Sequence, residues 1–285
     1  MMRYIRKFPK LIQNFIYEFS IVSACLKYIG MRHRLPFSAT LNRTRMLQEN
    51  QGLVHNLLLE RKFKPHGQVE LLRQQFEDDI STIMAIDRPV VFAFNHIHDF
   101  IRPLLTCKDV IPRDRSVTIV ATEDMIGTWN IDSKILAKSI AKYVDRDVDI
   151  VINEGRNVGR SLTRKLLQNH VIFLFWDVPE TFGRPSCQTF LGRRANFAAG
   201  WIYMACRCNA LVVTPRLINR RMDTLEANII MDFGNFLTTA EAEAAFFANA
   251  IPALEDQVMQ EPWSWHMWPK MNQFLHELVP DRKVN

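Results

Sequence analysis

Glycine residues are few in this chain and proline is not enriched, 10 and 13 among 285 residues. No Pro/Gly-rich linker, repeat or low-complexity tract interrupts it, so a string of loosely tethered modules is excluded. Cysteine is also scarce. Cys25, Cys107, Cys187, Cys206 and Cys208 are odd in number and irregular in spacing. They imply no disulfide framework and point to a reducing compartment. Cys206 and Cys208 are two residues apart, which is not zinc-knuckle spacing. There is no GxxxxGK[ST], no GxGxxG and no GxSxG, which argues against P-loop and dinucleotide-binding folds and against a serine hydrolase. Long apolar runs are missing as well. The best stretch, Phe15 to Leu26, is too short for a membrane span and carries Glu18, and no clean signal-peptide cleavage site follows it.

What is present is a large apolar fraction, 48%, with 19 phenylalanines and a formal net charge of +6. A sizeable core is expected, and the positive charge favours acidic partners: phosphates, anionic lipid or an acidic carrier protein. The N-terminal stretch begins with Arg3, Arg6, Lys7 and Lys10, and then sets Ile5, Phe8, Ile12, Phe15 and Phe19 at helical spacing. Two readings fit it: a basic amphipathic helix lying on a bilayer, or a helix packed on its own domain.

Residues 1–80 read as a helical N-terminal region. Its first helix follows Thr40 or Asn42 as cap, and "GQVELLRQQFEDDISTIMA" is a further helix. From residue 81 to 285 the texture is α/β. "PVVFAFN", "SVTIVAT", "VDIVIN", "VIFLFWD" and "ALVVTPRLI" are apolar runs of strand length, and "LEANIIMDFG" is a further strand. Near-continuous hydrophobicity means a sheet covered on both faces. "SKILAKSIAKYV", "GRSLTRKLLQN", "RRANFAAGWIYMACRC" and the tail from Glu241 read as helices. The expected fold is therefore a mixed, mostly parallel sheet flanked by helices, with a helical N-terminal extension.

In such sheets functional groups collect beyond the C-terminal ends of strands. "VVFAFNHIHDFI" delivers Asn95, His96, His98 and Asp99 to one such end. In a helix starting there, His96 and Asp99, three apart, share a face. A carboxylate beside an imidazole fixes its tautomer and makes it a competent general base. His98 beside Asp99 is the alternative base. The bland alternative is that Asn95 or Asp99 caps a helix and the histidines are satisfied locally. A metal reading, that of a metal-dependent hydrolase, takes His96 and His98 as two ligands, with others from Asp177, Glu180, Glu154 or His170. "FLFWDVPETFGR" brings Asp177, Glu180 and Arg184 to another strand end, and "NEGRNVGR" brings Arg156 and Arg160. Arg193 and Arg194 precede the helix expected in "FLGRRANFAAG". Arginines after successive strands suit one anionic ligand such as a phosphate or carboxylate. Aromatics and basic residues are not interleaved as in a nucleic-acid module.

Taken together, the strand ending in Asn95–His96, the strand ending in "FWDVPET" and "TFLGRRANFAAGWIYMACRCNALVVTPRLI" resemble the lysophospholipid acyltransferase superfamily, and within it the lipid A biosynthesis (late) acyltransferase branch. "EPWSWHMWPKM" resembles that family's C-terminal segment, so the resemblance spans roughly residues 85–271. It implies transfer of an acyl group from an acyl carrier protein or coenzyme A thioester to a lipid or a small alcohol or amine. No cofactor or metal is implied. By this resemblance His96 is the general base, Arg156 lies near the acceptor or a carrier phosphate, and Asp177 or Glu180 belongs to an acidic block that shapes the site. The family places an acid five residues after its histidine, whereas here Ile101 stands five after His96 and Pro103 five after His98. Asp99 is the nearest acid and the expected partner, or the chain is a degenerate member that binds acyl chains or a partner without turnover. The implied location is the cytoplasm, with residues 1–30 meeting the inner face of the cytoplasmic membrane.

Overall fold

The structure, a computed structural model, describes residues 40, 87–97, 111–122, 133–153, 157–219 and 224–275. The helices expected between residues 41 and 85, and the amphipathic segment at the N-terminus, lie outside the described residues.

Five short apolar runs form parallel strands: β1 (Val90–Phe94), β2 (Val117–Ala121), β3 (Val148–Ile152), β4 (Val171–Phe175) and, after a hairpin, β7 (Leu211–Asn219). The hairpin strands are β5 (Pro185–Phe190) and β6 (Arg193–Ala198), and β8 (Thr224–Asp232) returns antiparallel to β7. The main sheet has the order β3-β2-β4-β1-β7-β8. The mixed, mostly parallel sheet expected from the apolar runs is thus present. Central β1 is buried along its whole length, as a strand covered on both faces must be.

The helices are α1 (Ser133–Val144), α2 (Val158–Leu167), α3 (Gly200–Arg207), α4 (Thr239–Gln260) and the single turn α5 (Met271–Phe274). Leu162 and Leu166 of α2, Ile202 and Ala205 of α3, and Phe246 of α4 pack in one cluster with Val91, Ala93, Ile172 and Leu174 of the sheet. Residues one position along in the strands point the other way. There Phe92, Phe94 and Phe173 stack, with Phe173 4.9 Å from Phe92 and 5.5 Å from Phe94 between ring centroids. Burying each such ring contributes roughly 1.5–3 kcal/mol. α4 starts with a capping box: the Thr238 hydroxyl accepts from the Glu241 N–H, and the Glu241 carboxylate accepts from the Thr238 N–H.

One expectation fails. Residues 193–198 were expected to open a helix, but they are strand β6, and the helix begins at Gly200. Leu191 and Gly192 have φ of 50° and 72°. Two successive positive-φ residues make the two-residue turn whose twist matches a hairpin, so the chain reverses and pairs back on Pro185–Phe190. The Leu191 N–H also donates to Glu255 Oε1 of α4, at 2.5 Å, which ties the turn down. Pairing outweighs the helical preference of the alanines here.

The topology fixes where a site can lie. From β1 the chain moves toward β2, on the β3 side of the sheet; from β4 it moves the opposite way, past β1 to β7. The strands that follow β1 and β4 thus lie in opposite directions along the sheet. The crevice between the C-terminal ends of β1 and β4 is the topological switch point, the usual ligand position in such sheets.

Candidate active site

The register of β1 on β4 pairs Phe94 with Phe175. The ladder runs one step further, with the Trp176 N–H donating to the Phe94 carbonyl at 3.0 Å. Two residues beyond each partner come His96 and Asp177, on the same face by the period-two alternation of strands. They meet there. His96 Nδ1 lies 2.7 Å from Asp177 Oδ1, and the His96 backbone N–H donates to Asp177 Oδ2 at 2.8 Å.

Asp177 is fully buried, and its Oδ2 takes a further hydrogen bond from the Trp265 indole N–H at 2.8 Å. A buried carboxylate is costly to desolvate unless donors replace water, and here three groups converge on it. Two of them, a backbone N–H and an indole N–H, can only donate. With Asp177 as acceptor the His96 proton belongs on Nδ1, which leaves Nε2 with a lone pair. The imidazole stacks on Phe175, 4.1 Å between centroids with 28° between planes. Its side chain is 14% exposed, so the ring is backed by protein but still reached by solvent. A fixed tautomer, an acceptor nitrogen and partial access are what a general base requires.

The C-terminal segment closes the back of the site. Ile97 bridges Trp265 in antiparallel fashion, and the His266 N–H donates to the His96 carbonyl at 2.8 Å. Trp265 itself was not among the expected site residues. The signal available was the dense "WSWHMW" run: an indole that is buried needs an acceptor for its N–H, and a buried carboxylate needs donors.

Of the other expected residues, His98, Asp99 and Arg156 lie outside the described residues, as does Glu154. Asn95 accepts from the Ile97 N–H through Oδ1 at 3.4 Å, a local turn contact beside the dyad. Glu180 accepts from Asn196 Nδ2 at 2.7 Å, which fastens the loop after β4 to β6. Arg184 is paired with Glu243 of α4. Arg193 and Arg194 are exposed near the hairpin turn, where an Arg194 Nη2 N–H donates to Cys187 Sγ at 3.4 Å. Arg184 precedes β5 at the other end of the hairpin, about 20 Å away along an extended strand. These arginines do not close on a single phosphate. Arg160 is exposed in the first turn of α2.

Burial pushes the thiols of Cys206 and Cys208 up, away from the thiolate that a nucleophile needs. Phe94 is core, and Trp176 is buried against Phe197, Phe246 and Phe247. Among the described residues no three His, Cys, Asp or Glu side chains are grouped to hold a metal ion, and no helix is long and apolar enough to cross a membrane.

The chain matches no protein-family model, and no curated protein is significantly similar to it. The acyltransferase resemblance therefore rests on the motifs quoted above.

Proposed function

We propose that the protein is an acyltransferase that moves a fatty acyl group from an acyl carrier protein or acyl-CoA thioester to a hydroxyl or amine, with His96 as general base. The observation that carries this reading is the His96–Asp177 pair at the switch point of the sheet, with Nδ1 engaged at 2.7 Å. In the reaction, Nε2 of His96 takes the acceptor's proton as its oxygen or nitrogen attacks the thioester carbonyl. Asp177 faces the imidazolium that forms. The tetrahedral intermediate collapses, the carbon–sulfur bond breaks, and the departing thiolate recovers the proton from His96. The products are the acyl ester or amide and the free thiol of the carrier. Backbone N–H groups or an arginine stabilise the oxyanion in this reading. The net charge of +6 suits an acidic carrier surface or coenzyme A phosphates. We place the enzyme in the cytoplasm, with residues 1–30 as the segment that meets the inner face of the cytoplasmic membrane.

A second reading is favoured by Ile101 at the position where the family has its acid. In it the same fold binds an acyl chain without turnover.

The test is thiol release from purified protein incubated with acyl carrier protein or acyl-CoA thioesters and a panel of lipid, alcohol and amine acceptors. His96→Ala lowers turnover by about 10²–10⁴-fold, the usual contribution of a general base, whereas His170→Ala leaves it unchanged. Thioester binding with no acceptor-dependent release in the unsubstituted protein overturns catalysis in favour of the second reading.

A further inference from the structure

The dyad is held from a third direction. Trp265 follows a 3-10 turn, Pro262–Ser264, that comes directly after α4. It is completely buried, with its ring 5.3 Å from Phe190, 5.0 Å from Trp268 and 5.8 Å from Phe274 between centroids. Packing on those sides fixes the indole plane, so the direction of its N–H is fixed too. That N–H meets Asp177 Oδ2 at 2.8 Å.

The consequence is geometric. A carboxylate turns about its Cβ–Cγ bond unless both oxygens are engaged. Oδ2 receives the His96 backbone N–H and the Trp265 indole N–H, each at 2.8 Å, and this leaves Oδ1 aimed at His96 Nδ1. Of the two Oδ2 donors, only the indole is independent of the histidine it helps to orient. The same segment also grips the far side of the histidine loop through the His266 N–H to His96 carbonyl bond.

We infer that Trp265 is a positioning residue: its indole N–H sets the tilt of the Asp177 carboxylate and thereby keeps His96 in the Nδ1–H tautomer with Nε2 free to accept a proton. As an element of catalysis this rests on the acyl-transfer reading; as a statement about the tautomer it does not.

The experiment is long-range ¹H–¹⁵N spectroscopy of the full-length ¹⁵N-labelled protein, read at the His96 ring nitrogens, for the unsubstituted chain, Trp265→Phe and Trp201→Phe. Phenylalanine keeps an aromatic ring in the cluster and removes the donor. Trp201 is the control, because its buried indole nitrogen has no hydrogen-bond partner. Loss of a hydrogen bond to a charged group lowers the Nδ1–H to Nε2–H tautomer ratio about 10-fold in Trp265→Phe, and Trp201→Phe leaves it unchanged. Thioester-dependent turnover falls by the same factor in kcat, with KM for the thioester moving less than about twofold. An unchanged His96 ¹⁵N pattern in folded Trp265→Phe overturns the inference. If that variant does not fold, the unsubstituted protein decides. The Trp265 indole N–H signal must shift with pH along the same curve as the His96 ring, and a flat signal across that titration overturns the inference. A wild-type protein inert toward every thioester defeats the acyl-transfer reading alone, since the tautomer measurement needs no turnover.

Discussion

His96 and Asp177 stand in register across two adjacent parallel strands, 81 positions apart in the chain, with Nδ1 and Oδ1 separated by 2.7 Å. The pair is a product of strand alignment. Each residue lies two steps past a strand end whose partner is set by the buried ladder from Val90–Val171 to Phe94–Phe175. The apolar sheet thus places a buried carboxylate against a largely covered imidazole without any local sequence motif linking them.

Asp177→Asn tests the dyad more sharply than removal of either side chain. The amide oxygen takes over the two donors now on Oδ2, so the amide nitrogen faces His96 Nδ1. Nδ1 must then accept and the ring proton moves to Nε2, so that on the acyl-transfer reading proposed above the base is lost with the geometry intact. In a serine-protease triad the same reversal lowers kcat about 10⁴-fold. A drop of about 10³–10⁴-fold is expected here, with a circular dichroism spectrum like that of the parent. Turnover close to wild type would remove Asp177 from the mechanism.

At the opposite end of the sheet, Arg88 joins the start of β1 to the end of β8. Its guanidinium donates to Asp232 Oδ2 at 2.7 Å and to the Asn209 carbonyl at 2.7 Å. The Arg88 hydrogen bond holds the Asp232 carboxyl below the usual carboxylate range. A depressed folded value means that the unfolded chain binds the proton first, so the contribution is present at neutral pH and is lost as pH falls through the folded value. Asp232→Asn is expected to cost about 1 kcal/mol near neutrality, discounted for partial exposure. The gap from the parent in denaturant titrations should narrow in acid.

His170 supplies a second pH response. Its imidazole sits 2.9 Å from the Thr118 hydroxyl, and burial, with Lys165 as a further cause, holds its pKa below the ordinary histidine value. Asp149 and Asp147 pull weakly the other way. The neutral ring is favoured in the fold, so stability is full above the ordinary imidazole pKa and declines as pH falls through the lowered one. His170→Asn keeps a polar partner for Thr118 and removes the proton uptake. The mildly acidic loss of stability, followed by denaturation midpoint against pH, should shrink in this variant.

Gly192→Ala addresses the hairpin that displaced the expected helix. A Cβ at Gly192 meets nothing within 4 Å, so the cost is conformational only. At φ of 72° a non-glycine residue costs about 1 kcal/mol. Urea denaturation should show a loss of that size, and none at all would mean that the turn has another geometry.

Much of the sheet is legible in the sequence. "PVVFAFN", "SVTIVAT" and "VIFLFWD" became β1, β2 and β4 because a strand covered on both faces has only apolar positions to offer. "LEANIIMDFG" became β8, and "SKILAKSIAKYV" became α1. Residues 193–198 read as helix because alanine content is local information, whereas the positive-φ turn at Leu191–Gly192 and the partner strand at 185–190 decide the outcome. In sequence each arginine follows a strand and convergence is expected, but the hairpin carries Arg184 and Arg193 to opposite ends.

The chain alone determined that a histidine would stand at a strand exit, because hydrophobic periodicity and the polar residues that end it are written consecutively. Which acid would hold that histidine was not written there. Proximity in sequence favoured Asp99, while Asp177 and Trp265 arrive through strand register and the return of the C-terminal segment. Register between parallel strands joined by long crossovers depends on how all the layers pack at once, and for that reason only the folded structure pairs His96 with Asp177.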